Sequence, residues 1–280
     1  MTNIVRYGQG TSFQGPSEQI WGDLGLWEQK SREGRGTLIF DDFVKWDTST
    51  TNGTSYQNGW TVVADDGPVL NLVAAPTKPT GGVGGEFGSL LLSGADADND
   101  ELYLTSSVTG THVFIDDECK KIGFEIRMKK SAVTDAGLTF FAGLASVGAA
   151  VAGTLAADAG TLIATKGFIG FNQDDTDGNA VNPVVQAISQ TQQTPQATAI
   201  PIVADTWIKL GFLYEPGNSR DSLRFFVNGA AQDITKFVFA DLDDADFPND
   251  TAMAPLVGFL HEGTANEGAE IDWIACGQYY

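Results

Sequence analysis

Carboxylates dominate the chemistry this chain could perform. Asp and Glu number 36 against 16 Lys and Arg, a formal net charge of −20 over 280 residues. Two arrangements of those acids could act. A retaining glycosidase needs two carboxyl groups on one cleft face, about 5 Å apart, one as nucleophile and one as acid. Glu270 and Asp272 have the alternation that puts both on one side of a strand, but Ile274 and Ala275 follow where a third acid would stand. The pair reads as an edge or solvent-facing pair of a last strand. The other arrangement is acidic loops. Asp96, Asp98 and Asp100 form one, Asp175 and Asp177 fall in another, and Asp241 to Asp250 is a third. Calcium takes 6–8 hard oxygen ligands, so Asp96, Asp98, Asp100, Asp175 and Asp177 are candidate calcium ligands. Asp175-Thr-Asp177-Gly178 matches the middle of an EF-hand loop, but Val184 stands where the bidentate Glu belongs. Asp and Asn also suit plain solvated turns.

Other chemistries lack their residues. The only histidines are His112 and His261, and Cys119 and Cys276 are the only cysteines, too few for a zinc cluster or a disulfide framework. Both cysteines fall in expected strands, as two buried thiols or one bridge between neighbours. No Gly-x-Ser-x-Gly elbow occurs, and the glycine-rich stretch 80–85 has no following Gly-Lys-Ser/Thr to cradle phosphate. The acidic balance argues against nucleic acid and against an anionic membrane surface. No enzyme and no required cofactor are expected. Trp60, Tyr103 and Trp273 are candidates to stack on a sugar ring, and each is an equally good core residue.

The elements that would position these groups are strands. In 205–229, Trp207, Lys209, Gly211 and Leu213 alternate with Ile208, Leu210, Phe212 and Tyr214. After Glu215-Pro216-Gly217-Asn218 a second strand holds Leu223, Phe225 and Val227 on one face, and Asn228-Gly229 is a hairpin signal. Similar short strands recur at 37–43, 60–63, 69–73, 89–93, 102–105, 121–129, 138–144, 167–171, 255–260 and 270–277. Residues 146–160 are Ala- and Gly-rich, a rim helix or an irregular loop. Residues 180–202 look like a long insertion with an edge strand at 183–189. The prediction is all-β: a jelly-roll β-sandwich of two antiparallel sheets with an extended N-terminal arm.

These strand signatures resemble the concanavalin A-like (laminin G-like) lectin and glucanase jelly roll. The residues that carry the likeness are Phe40-Asp41-Asp42-Phe43 with Trp46, Ile122 to Arg127, Gly167 to Phe171, Trp207 to Phe212, Phe225 to Gly229 and Glu270 to Ile274. Together they cover about 37–280. They are signatures of strands and not of a site.

Residues 1–36 differ, mixing many glycines with isolated large groups. A solvated linker gains nothing from tryptophan, whereas an arm lying on another surface uses aromatic anchors. Tyr7, Phe13, Trp21 and Trp27 are the expected partner-binding residues. The chain therefore divides into an arm, 1–36, and a sandwich, 37–280. No basic region followed by an apolar run opens it, so synthesis in the cytosol is expected. In composition and architecture it resembles tailed-phage virion proteins. The expected role is a structural virion protein, a capsid decoration or cement subunit forming homo-oligomers and binding neighbouring subunits through its arm. A lectin-like carbohydrate-binding module that takes a glycan is the alternative.

Overall fold

The computed structural model describes residues 15–22, 36–43, 55–57, 59–64, 73–74, 89–93, 101–106, 112–115, 121–131, 138–151, 153–155, 162–173, 178–193, 200–215, 223–232, 245–261 and 268–279. A one-turn helix, α1 (Glu18–Trp21), precedes the strands. These are β1 (Gly36–Asp41), β2 (Ser55–Gln57), β3 (Trp60–Ala64), β4 (Val73–Ala74), β5 (Leu90–Ser93), β6 (Glu101–Thr105), β7 (Val113–Ile115), β8 (Ile122–Lys130) and β9 (Leu138–Ser146). There follow β10 (Phe168–Gln173), β11 (Ala180–Gln186), β12 (Ile200–Pro201), β13 (Ile208–Tyr214), β14 (Leu223–Val227), β15 (Ala230–Ala231), β16 (Thr251–His261) and β17 (Gly268–Tyr279).

They form two antiparallel sheets, a jelly-roll β-sandwich. Sheet A runs β15-β14-β13-β8-β17-β5-β4, with β1 also on β17; sheet B runs β12-β11-β10-β9-β16-β6-β3-β2, with β7 on β16. The expected hairpin is present: Tyr214 faces Leu223 and Leu210 faces Val227. Asn228 and Gly229 both take positive φ, 51° and 79°, as a two-residue turn that matches strand twist requires. That turn leads into β15.

Period-two alternation sends Ile122, Phe124, Ile126 and Met128 of β8 and Leu210, Phe212 and Tyr214 of β13 between the sheets. The sheets meet through rings. Phe171 of β10 contacts Phe225 of β14 edge to face at 5.3 Å, and Phe212 lies 5.6 Å from Phe124 and 5.8 Å from Phe225. Each buried ring contributes about 2–3 kcal/mol.

Both sheets are also covered on their outer faces, so β8 and β16 are buried almost throughout instead of alternating. Ile20 and Trp21 lie on sheet A with Leu213, Phe226 and Trp273. Ala149, Ala150, Leu155 and Leu162 lie on sheet B with Tyr103, Phe141 and Phe168. The Ala/Gly-rich segment is thus a cover made of turns, without helix among its described residues. Small residues suit it, because Gly143 and Gly170 face each other beneath it. β17, expected to carry Glu270 and Asp272 as an edge or solvent-facing pair, is not an edge strand: it lies inside sheet A between β8 on one side and β5 and β1 on the other.

Candidate functional site

The outward face of sheet A carries the densest polar grouping. β8 presents Glu125, Arg127 and Lys129 there, two residues apart, and the adjacent strand β13 presents Lys209 opposite Arg127. On the other flank, β17 slips register between Ile271 and Trp273, which pair with Met128 and Arg127. Asp272 is the extra residue of this bulge, turned outward. Its Oδ2 accepts from Arg127 Nη1 at 2.5 Å, and Lys129 Nζ lies 3.2 Å from Glu270 Oε2, which also accepts from Ser89 Oγ. Trp207 precedes β13 and is partly exposed. Arg127 and Lys129 sit 4.4 and 4.8 Å from its ring centre, a cation–π stack. Arg127 is 6% exposed, and its Nε has no hydrogen-bond partner among the described residues. The result is an aromatic ring set among alternating cations and carboxylates, with a buried donor to spare.

Next to it lies a socket filled by residues 15–22. Glu125 is 1% exposed, and its carboxyl accepts from Ser17 N at 2.8 Å, from Ser17 Oγ and from Trp21 Nε1 at 2.9 Å. Lys209 Nζ donates to Gly15 O at 2.9 Å and Ser17 Oγ at 3.0 Å. Burial pushes the Glu125 carboxyl above its ordinary range, against the pull of Ser17, Lys209 and Trp21. Burial pushes the Lys209 amine down. Gly211 makes room: a Cβ there would stand 2.7 Å from Ile20 Cδ1.

The outward face of sheet B holds Glu101 and Tyr103. Glu101 Oε2 accepts from Gly153 N at 2.6 Å, and the Tyr103 hydroxyl accepts from Leu155 N at 3.2 Å. Burial and the neighbouring Glu101 push the Tyr103 phenol far up. Between the sheets, Lys130 Nζ donates to Gln173 Oε1 at 2.5 Å. Burial and Lys130 lower the pKa of His261.

Several sequence expectations change. Trp60, Tyr103 and Trp273, the stacking candidates, are 2%, 1% and 4% exposed and belong to the packing. Glu270 and Asp272 share the outward face, but each is tied to a cation. Trp21, expected on a partner, lies on the chain's own sheet; Tyr7, Phe13 and Trp27 lie outside the described residues. So do Asp96, Asp98, Asp100, Asp175 and Asp177, and no group of three or more candidate metal ligands occurs among the described residues. Cys276 is a free, buried thiol whose pKa burial raises; Cys119 lies outside the described residues. Trp207, Arg127 and Lys129 were missed as a site. The signal was the Glu-x-Arg-x-Lys alternation in β8 beside a tryptophan-led strand.

No protein-family model matches the sequence, and no curated protein matches it. Solved structures do match. One is a protein of unknown function from Shewanella oneidensis MR-1, with TM-score 0.52, 15% identity, and coverage of 88% of this chain and 87% of that one. Another is the endo-1,3-beta-glucanase from Streptomyces sioyaensis, with TM-score 0.51, 13% identity, and coverage of 88% and 98%. Peanut lectin matches at TM-score 0.46 and 12% identity over 88% and 98%. The fold, a jelly-roll β-sandwich, is shared with the Shewanella protein and the glucanase. The expectation that no enzyme is present is corrected by the glucanase match: this architecture carries glycosidase chemistry, so a missing catalytic signature does not exclude it.

Proposed function

We propose that this chain recognises carbohydrate, and that the ring of Trp207 with Arg127, Lys129, Glu270 and Asp272 is where it does so. The observation that carries this reading is the partly exposed indole of Trp207 set among charged groups on the outward face of sheet A. Sugars present an apolar ring face and an edge of hydroxyls. An aromatic ring takes the first, and carboxylates and guanidinium take the second by charge-assisted hydrogen bonds. Two cations balance two carboxylates, which suits a neutral sugar. The shared fold with an endo-1,3-beta-glucanase makes β-glucans the first class to test. In a glycan-array and titration experiment, Trp207→Ala is expected to weaken binding roughly tenfold, about 1.4 kcal/mol. Unchanged affinity would place the sugar elsewhere. Analysing the same incubation for shortened oligosaccharides separates recognition from turnover.

A second reading, an assembly subunit such as a capsid decoration protein of a tailed phage, is favoured by the socket. A segment anchored by a buried tryptophan and three hydrogen bonds to one carboxyl is what an assembly arm requires. Other virion proteins would then be its partners, and the virion its location. The native mass of the full chain tests it: a homo-oligomer supports this reading, and a monomer removes it.

A further inference from the structure

We infer that residues 15–22 are an internal stopper on the sugar site: they fill its second half, and a long glycan binds there by displacing them. The inference rests on the carbohydrate reading and adds the regulation of that site. The two halves are continuous. Glu125 stands one two-residue step, about 7 Å, from Arg127 on the same face of β8. Lys209 of β13 and Trp273 of β17 flank Arg127 in register on either side. The Trp207 stack on Arg127 therefore ends where the socket begins.

The polarity of the socket points to a ligand. Among the described residues, every hydrogen bond of the Glu125 carboxyl and of Lys209 Nζ goes to residues 15–22. A fold gains little by burying such a pair under a cover, since apolar residues of similar volume hold as well or better. The Ser17 hydroxyl shows what the pair selects: it donates to Glu125 Oε1 and accepts from Lys209 Nζ at 3.0 Å. A sugar hydroxyl makes the same two bonds, giving its proton to a carboxylate while an ammonium donates to its oxygen. Beside this pair, Ile20 and Trp21 pack in one cluster with Phe40, Phe226 and Trp273, and the Phe40 and Trp273 rings stack at 6.2 Å. The apolar face of a sugar ring packs on aromatic rings as the Trp21 indole does. The segment thus holds a hydroxyl and a ring where a sugar would place its own.

The segment is also built to leave as a unit. α1 is a single turn, and Ser17 at its N-cap makes no side-chain bond to the helix's own amides, because its hydroxyl is used on Glu125 and Lys209. One turn is unstable by itself, so the fold of 15–22 depends on the socket. None of these residues belongs to a strand, and their departure leaves both sheets paired.

The probes are a β-1,3-glucan disaccharide, short enough to sit at the Trp207 end alone, and the hexasaccharide, each titrated into the full chain by calorimetry. An open form populated at about a tenth weakens apparent affinity by that fraction. Trp21→Ala should therefore tighten hexasaccharide binding about tenfold and leave the disaccharide unchanged. A lock should act the other way. A Cβ built on Gly229 stands 3.5 Å from Ser17 Cβ, inside the range of a disulfide. Oxidised Ser17→Cys with Gly229→Cys, on a Cys119→Ser background, should bind the hexasaccharide no better than the disaccharide and gain affinity on reduction. Hydrogen exchange of the unmodified chain reads displacement directly. The amides of Ser17, Ile20 and Trp21, bonded to Glu125 Oε2 and Ser17 O, should exchange faster at saturating hexasaccharide. Amides that stay protected there, or one hexasaccharide affinity for wild type, Trp21→Ala and both states of the lock, overturn the stopper and leave the carbohydrate reading intact. Binding of neither probe to any form removes both.

Discussion

Glu125 is the side chain on which the N-terminal segment depends most. Its carboxyl takes three donors from Ser17 and Trp21, and Lys209 stands beside it. Replacing it with Ala leaves those donors buried and unpaired, which costs about 1–3 kcal/mol for each group so stranded. Glu125→Gln keeps one acceptor oxygen in place. The two variants should therefore separate, with the segment released in Glu125→Ala and retained in Glu125→Gln, as read by protease sensitivity near Gly22. The pH dependence has a definite sign. Burial raises the folded-state pKa of Glu125, so its contribution is fully present below the ordinary carboxylate pKa and is lost as pH rises through the raised one. Lys209, lowered by burial, acts in the opposite sense. Attachment of the segment should weaken as pH rises above the ordinary carboxylate range, and Glu125→Gln should abolish that slope. A wild-type slope of the opposite sign would show that the hydrogen bonds outweigh burial. The sequence placed Glu125, Arg127 and Lys129 in one expected strand, 121–129, without marking them as a face with a role. Their partners were not legible, because Ser17 and Trp21 lie more than a hundred residues away along the chain.

At the scale of elements, the strands were legible because two-residue alternation and Asn-Gly turn chemistry are local. The 205–229 hairpin forms, with Tyr214 opposite Leu223 and Leu210 opposite Val227. What covers the sheets was not legible. Ala149, Ala150 and Leu155 lie in a low-complexity stretch with no period to place it, yet they bury the outer face of sheet B. The floor under that cover explains its composition. A Cβ on Gly143 would stand 2.6 Å from Gly170 Cα, and one on Gly170 would stand 2.8 Å from Gly143 Cα. These partners are backbone and cannot swing aside. Gly143→Ala should therefore cost about 1–3 kcal/mol through displacement of β9 against β10, measured by urea denaturation. The same change at Gly59, where nothing lies within 4 Å but φ is 84°, should act through backbone conformation alone. Equal stability of Gly143→Ala and wild type would mean that the two strands separate more readily than their close pairing implies.

For the whole molecule, the opposing quantities are an aromatic joint between two sheets and a net charge of −20. The joint holds because Phe124, Phe171, Phe212 and Phe225 form one contiguous set of rings across the sandwich. The charge works against any compact state, since folding brings carboxylates closer together. The pair of Arg127 with Asp272 is mostly buried, so salt reaches it poorly. Exposed carboxylates are screened fully. The Debye length falls from about 30 Å at 0.01 M salt to about 8 Å at 0.15 M, so repulsion across the surface should fade over that range while the buried pairs persist. The melting temperature of the full chain should rise by a few degrees between those two concentrations and then level off. A melting temperature that falls with salt would mean that exposed ion pairs outweigh the repulsion of the acidic excess.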